Sequence, residues 1–416
     1  MASSVWGQET PPRGAGAQQS APAAESGGSA PSAAPPLAAY PLELLGLLAP
    51  AAQRGPLTLT PSISVSEEYN DNVFSDNANK RSDFITSFSP ALTLVVNRPE
   101  YQLRAGYSFG ADIYARESGL TDAFNRQNFV ADGSYNVSPG FTLSASESFV
   151  YTRDTSLGTQ QGFSTGRQKS WSNNFVPAMT WQMTARNSLR LSASYNALRY
   201  QGSGPALDSD SYGFQSSLSH AFTQRLSGLI GYGFTYLDTA QTETSTTHAP
   251  TVGFSYLLTP TLSANVSGGP AITTTGNNTS VSPGGSVGIV QVFSFGSAGV
   301  QYTRSVSTAG GFGGANDTQT ASGTLTLSGL QRGLLIVFSP AYSIAESLSS
   351  GQTDQVDVKT LTLALAVTYQ FTRYASIFGS YTFLQQRTGG SSSTQVDVDQ
   401  NRVRFGLQFG YPLNFD

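Results

Sequence analysis

The sequence predicts an all-β chain: an antiparallel up-and-down transmembrane β-barrel of about 18 strands, preceded by a disordered N-terminal leader. Three observations carry that prediction. Only 12% of the residues are charged and there are three Lys in all, the balance being Ser, Thr, Asn, Gln and 43 Gly. Soluble domains carry about twice that share of charge. From Leu57 onward apolar and polar residues alternate with period two, and no segment has a convincing helical period. Short turns alternate with longer polar loops, so all loops of one kind lie at one end of the molecule.

Residues 1–56 are rich in Ala, Pro, Ser and Gly, a composition too poor in apolar side chains to build a core. Within them PLELLGLLAPAA (41–52) is a short apolar patch that suits a linker, a turn or two of helix, or a segment lodged in a pore. The start lacks the basic region and apolar core of a secretory signal. SVWG (4–7) places the small residue of a cleavage site just before Gln8, which leads to the expectation of a longer precursor cut there.

The barrel is expected to span 57–416. Tyr101, Leu103, Ala105, Tyr107 and Phe109 form one alternating set, Leu262, Ala264 and Val266 another, and Leu361, Leu363, Leu365, Val367, Tyr369 and Phe371 a third. Tight connections are read at 97–100, 138–140, 185–188, 223–225, 259–261, 294–296, 329–332 and 372–373. Longer loops are read at 70–81, 117–125, 154–168, 202–210, 239–247, 274–281, 307–318, 347–355 and 388–396. Strands of a sandwich average about five or six residues, whereas these are about twice as long and keep a polar face throughout, as a tilted membrane stave does. Trp171, Trp181, Tyr232, Tyr236 and Tyr374 collect near strand ends, where aromatic girdles belong. The final stretch RVRFGLQFGYPLNFD alternates from Val403 to Phe415 and reads as the stave that pairs with the first and abolishes both edges.

Two resemblances attach to these residues. Arg404, Gly406, Leu407, Phe409 and the near-terminal Phe415 resemble the C-terminal recognition signal of bacterial outer-membrane barrels, with the departure that Asp416 follows the aromatic. SISVSEEYNDNVF (62–74) resembles the first strand and loop of a family of outer-membrane β-barrel porins, some of which accompany exopolysaccharide secretion systems. The likeness covers about 57–416. It implies a bacterial outer-membrane location and a channel for polysaccharide export or for diffusion of hydrophilic solutes. It also implies outer-membrane lipid, the barrel-assembly machinery and periplasmic polysaccharide-export proteins as partners. A non-conducting structural or adhesin-like barrel is the competing reading, and the oligomeric state stays open.

With the apolar side facing lipid, the lumen wall is small and uncharged: Thr142, Ser144, Ser146 and Ser148, then Ser192, Ser194 and Asn196. Charge sorts by end. Near the short turns lie Arg98, Arg104, Arg186, Arg190, Arg225, Arg332 and Arg373 against Glu100 and Asp416, while the long loops are acidic. Parity points Arg104, Arg190 and Arg225 inward at the turn-end mouth, where they would attract anionic polymers; the plainer reading is that they anchor turns at the headgroups. The longest loop, 154–168, carries too few charges to act as a charged constriction, so a wide pore, or one occupied by the leader, is expected.

Other function classes fare poorly. Without Cys there is no disulfide framework and no thiol-based metal or redox site. A formal charge of −4 argues against nucleic acid. His220 and His248 fall at opposite ends of the barrel, neither beside a convincing nucleophile, so no catalytic residue and no cofactor is assigned. YNDNVFSDNAN (69–79) offers oxygen ligands but not the spacing of a calcium loop, so no metal is assigned. Glu147 alone defies the pattern, a carboxylate with lipid-facing parity at mid-strand.

Overall fold

Each alternating segment forms a strand in the computed structural model, which describes residues 56–154, 162–202, 206–307, 311–348, 356–390 and 396–415. In chain order the strands are β1 (Leu57–Asn70), β2 (Asp83–Asn97), β3 (Tyr101–Tyr114), β4 (Asp122–Ser138), β5 (Phe141–Asp154) and β6 (Arg167–Gln182). Next come β7 (Asn187–Gln201), β8 (Ser209–Ala221), β9 (Leu226–Thr239), β10 (Ser245–Thr259), β11 (Leu262–Thr275) and β12 (Asn278–Phe293). The ring is completed by β13 (Gly296–Ser307), β14 (Asn316–Leu327), β15 (Leu334–Ser347), β16 (Val356–Thr372), β17 (Ala375–Gly390), β18 (Val398–Gly410) and the short β19 (Leu413–Phe415). From β1 to β18 each strand pairs antiparallel with its neighbours in sequence. The leader, with its apolar patch and cleavage site, and Asp416 lie outside the described residues.

Closure is direct. Val65 pairs with Leu407 and Tyr69 with Val403, while Leu57 pairs with Phe415 across the turn end. β18 and β19 are one stave interrupted at Tyr411–Pro412, where proline cannot donate to the ladder, so the ring has 18 staves. The connections fall where the alternation breaks, with one difference. The loop expected at 274–281 is a two-residue turn, with Thr275 paired to Asn278 and Gly276 at φ +55°. Such a tight hairpin needs a left-handed residue, which glycine supplies at no steric cost.

The exterior is apolar and open: Ile63, Phe88, Ile230, Val252, Val281 and Phe405 are among the side chains left exposed. Two aromatic belts flank it. Phe293 stacks on Phe295 and Tyr374 on Tyr411 at the turn end, while Tyr195, Tyr212 and Tyr236 form a chain at the loop end. The buried side chains are conversely polar, with Ser64, Ser87, Thr273 and Thr360 all under 3% exposed. This inversion of a soluble fold is what a bilayer requires: apolar side chains meet lipid and every backbone group is bonded within the wall.

Candidate functional site: the lumen and its two ends

A round ring of 18 staves at ~4.8 Å spacing and ~40° tilt would be roughly 36 Å across, backbone to backbone. The loop end is not round. Arg402 on β18 is ion-paired with Asp154 at the end of β5, five staves away. A round ring would separate those positions by about 28 Å, but an arginine–carboxylate contact reaches at most about 14 Å between Cα atoms. The sector from β18 through β5 is therefore drawn together. Other contacts fasten the same side: Arg404 to Glu68 at 2.7 Å, Arg126 to Asp112 at 2.9 Å, and Arg167 to the Tyr114 hydroxyl at 2.8 Å. Arg167 also donates to the Val73 carbonyl at 3.0 Å. In the sequence these charges look like loop-end decoration. Their lumenal parity, visible for Glu68, Arg402 and Arg404, was the signal that they face one another.

Two loops fold inward across what remains, which corrects the expectation of an unconstricted pore. Residues 162–166, rooted at β6, cross to the opposite wall. There the Gln386 amide binds the Ser164 backbone twice, accepting from its N–H at 2.8 Å and donating to its carbonyl at 2.6 Å. Gln386 is fully buried, as a side chain replacing a strand partner must be. Phe163 packs with Phe312, Ala345, Val356 and Val358 in an apolar cluster inside the lumen. Phe312 comes from the β13–β14 connection, where Gly311 at φ +96° accepts from the Leu207 N–H at 2.9 Å. A Cβ on Gly311 would meet the Tyr200 hydroxyl oxygen at 2.3 Å, so the crossing is possible only with glycine there. Phe163 and Phe312 thus meet over the loop end of the lumen.

The turn end is a cavity of about 660 Å³. Arg104, Arg190, Asp132, Arg373, Gln370 and Gln408 line it together with hydroxyls of β1, β2, β4 and β5. Arg104 and Arg190 meet there. Arg225 is in the exposed β8–β9 turn, off the strands, and is not among the lining residues. Asp132, missing from the charge balance drawn on the sequence, stands directly across from Arg104 on β4 and attracts it. The mouth is a mixed surface and not a purely basic one.

The remaining sequence candidates have structural partners. Gly406 is opposite Phe378, whose ring lies where a Cβ would be, at 2.7 Å. Leu407, Phe409 and Phe415 are on the exterior. His220 accepts or donates at 2.7 Å with Asn187, and His248 does so with the Tyr232 hydroxyl at 2.7 Å. Both histidines are on the outside of the barrel, away from the lumen. The Asn/Asp run of the first loop is taken up in pinning that loop to β18: Asn77 accepts from the Asp399 N–H at 2.7 Å, and Asn401 donates to Asp71 at 2.7 Å. Asp76 accepts from the Ala78 N–H at 2.8 Å and from Asn79, which holds its carboxyl below the usual carboxylate range. Glu147 faces outward and hydrogen-bonds Asn173 on the neighbouring strand.

The sequence matches no protein-family model and no curated protein. Among solved structures it is similar to OccAB4 of Acinetobacter baumannii, at 11% identity and TM-score 0.44, over 88% of this chain and 100% of that one. OpdQ of Pseudomonas aeruginosa gives 12% and 0.43, over 86% and 98%. The siderophore receptor PirA of Pseudomonas aeruginosa gives 10% and 0.41, over 85% and 80%. The functional reading rests on this chain's own residues.

Proposed function

We propose that this chain is a bacterial outer-membrane β-barrel channel for hydrophilic solutes, and that its cargo is polysaccharide on its way out of the cell. One observation carries the reading: a closed ring with an apolar exterior encloses a lumen walled by hydroxyls, amides and glycines. An enclosed polar surface of this kind has no role in building a core, whereas it suits passage of hydrated molecules. The SISVSEEYNDNVF likeness supports the link to export, with periplasmic polysaccharide-export proteins as partners at the turn end.

A non-conducting structural barrel is the second reading, favoured by the Phe163–Phe312 contact across the loop end. Proteoliposome swelling separates the two. A channel admits small sugars at a rate that rises when Phe163→Gly and Phe312→Gly are combined. A structural barrel leaves the liposomes tight with and without those changes. For the cargo, loss of the chain in its own host should lower the surface polysaccharide and raise its periplasmic pool; unchanged levels of both would sink the export assignment.

A further inference from the structure

Charge is sorted around the ring as well as along it. The register fixes which positions face the lumen: Ser217, Gly231, Thr251, Gly253, Ser267 and Ser286 run across neighbouring strands in one continuous inner row. By the same parity every Asp, Glu, Lys, Arg and His on β8 to β17, from Asp210 to Arg387, is on the outside. Ten contiguous staves therefore present no ionisable acid or base to the lumen. On the described strands the charges of lumenal parity belong to β18 and β1 to β7, and most are matched within that sector: Arg404 with Glu68, Arg126 with Asp112, Arg402 with Asp154, and Arg104 facing Asp132.

That charged sector is also the one drawn together. Toward the loop end its inner positions are closed off, with Ser64 2% and Ser87 1% exposed, while its turn end lines the cavity described above. On the neutral wall Thr273 and Thr360 are buried beside the loops, and Asn265 and Ser305 stay open. Glycines flatten the neutral wall, and Gly269 pairs directly with Gly284. A sugar moving there trades hydrogen bonds to water for hydrogen bonds to hydroxyls at little net gain, so it is held weakly and keeps moving. A carboxylate or phosphate on the same path meets no counter-charge on the ten strands themselves, where the nearest lining arginine is Arg373 in the β16–β17 turn. Every described strand arginine of lumenal parity lies in the other sector, most of them matched to a carboxylate.

Building on the channel reading above, we propose that the solute path follows the β8–β17 wall and that its ligand is an uncharged, hydroxyl-rich carbohydrate chain, not a uronate- or phosphate-bearing one. The absence of Cys gives a clean background for the test. Full-length Ser267→Cys, Thr251→Cys, Ser87→Cys and Ser64→Cys chains, checked for heat-modifiable migration, are reacted in nanodiscs with a glucose-linked maleimide. Labelling is repeated with dextran oligomers and with oligogalacturonate of equal length. Cysteines at 267 and 251 should label at least about tenfold faster than those at 87 and 64, and dextran should slow them several-fold while oligogalacturonate leaves them unchanged. Equal labelling of both sectors, no protection by dextran, or protection by oligogalacturonate as good as by dextran would overturn the proposal. Failure of the channel reading shows separately, as tight proteoliposomes alongside the expected labelling pattern.

Discussion

At residue scale the lumen is held by pairs whose members are costly to separate. Arg402 and Asp154 form an ion pair in a water-poor pinch. Removing one partner of a buried pair strands the other charge at a cost of about 3–5 kcal/mol, whereas replacing both by apolar groups of similar volume is often neutral. Asp154→Ala should thus lower the urea midpoint of the folded barrel in liposomes well below that of the Arg402→Met, Asp154→Leu double change; equal loss in both would mean the pair does not bridge the lumen. Glu147 makes the opposite prediction. A carboxylate on the lipid face costs up to about 2 kcal/mol, so Glu147→Leu should raise the same midpoint, and a fall would point to a protein contact there. Gly406 has no room for a methyl group beside Val65, Ser66 and Phe378, so Gly406→Ala should cost about 1–3 kcal/mol in that assay. Its place in the C-terminal likeness suggests a recognition role, but the packing under Phe378 is a sufficient physical reason for glycine.

The staves were legible element by element because a two-residue period survives whatever the strand packs against. The strand ends fell within a few residues of the alternation breaks, and the closing pair could be read from the final apolar set. Inward folding of the loops was not legible, since a loop carries no period that betrays its direction. Faint signals existed: Phe163 is the one aromatic residue of the polar loop 154–168, and Phe312 sits within GGFGG, a large apolar residue set among residues that permit close approach. Gln386 is the hinge of this arrangement because it binds Ser164 on both its N–H and its carbonyl. Gln386→Leu leaves two backbone groups and the Thr360 hydroxyl without that partner, and should free residues 162–166. Amide hydrogen exchange at Ser164 and Thr165 should then rise by about tenfold or more, with β16 and β17 unchanged; unaltered protection would mean the crossing is held by Phe163 alone.

For the whole molecule, composition fixed the barrel and end-to-end charge suggested a basic mouth, but a linear tally cannot see which charges face each other. Asp132 and Arg104 meet only because β3 and β4 pair in one register, and Arg402 meets Asp154 only because the ring is pinched. The same tally hid the division of the lumen into a charged and a neutral sector, which needs the inward parity of every strand at once. A closed 18-stave ring should migrate faster on gels before boiling than after it, since no free edge is left from which to unravel. Single-channel recording in planar bilayers tests most directly whether this ring is a channel. Wild type should give discrete steps with weak ion selectivity, and the combined Phe163→Gly, Phe312→Gly chain larger steps of the same selectivity. Silence from both chains, when both show the folded barrel on gels, would contradict a conducting lumen.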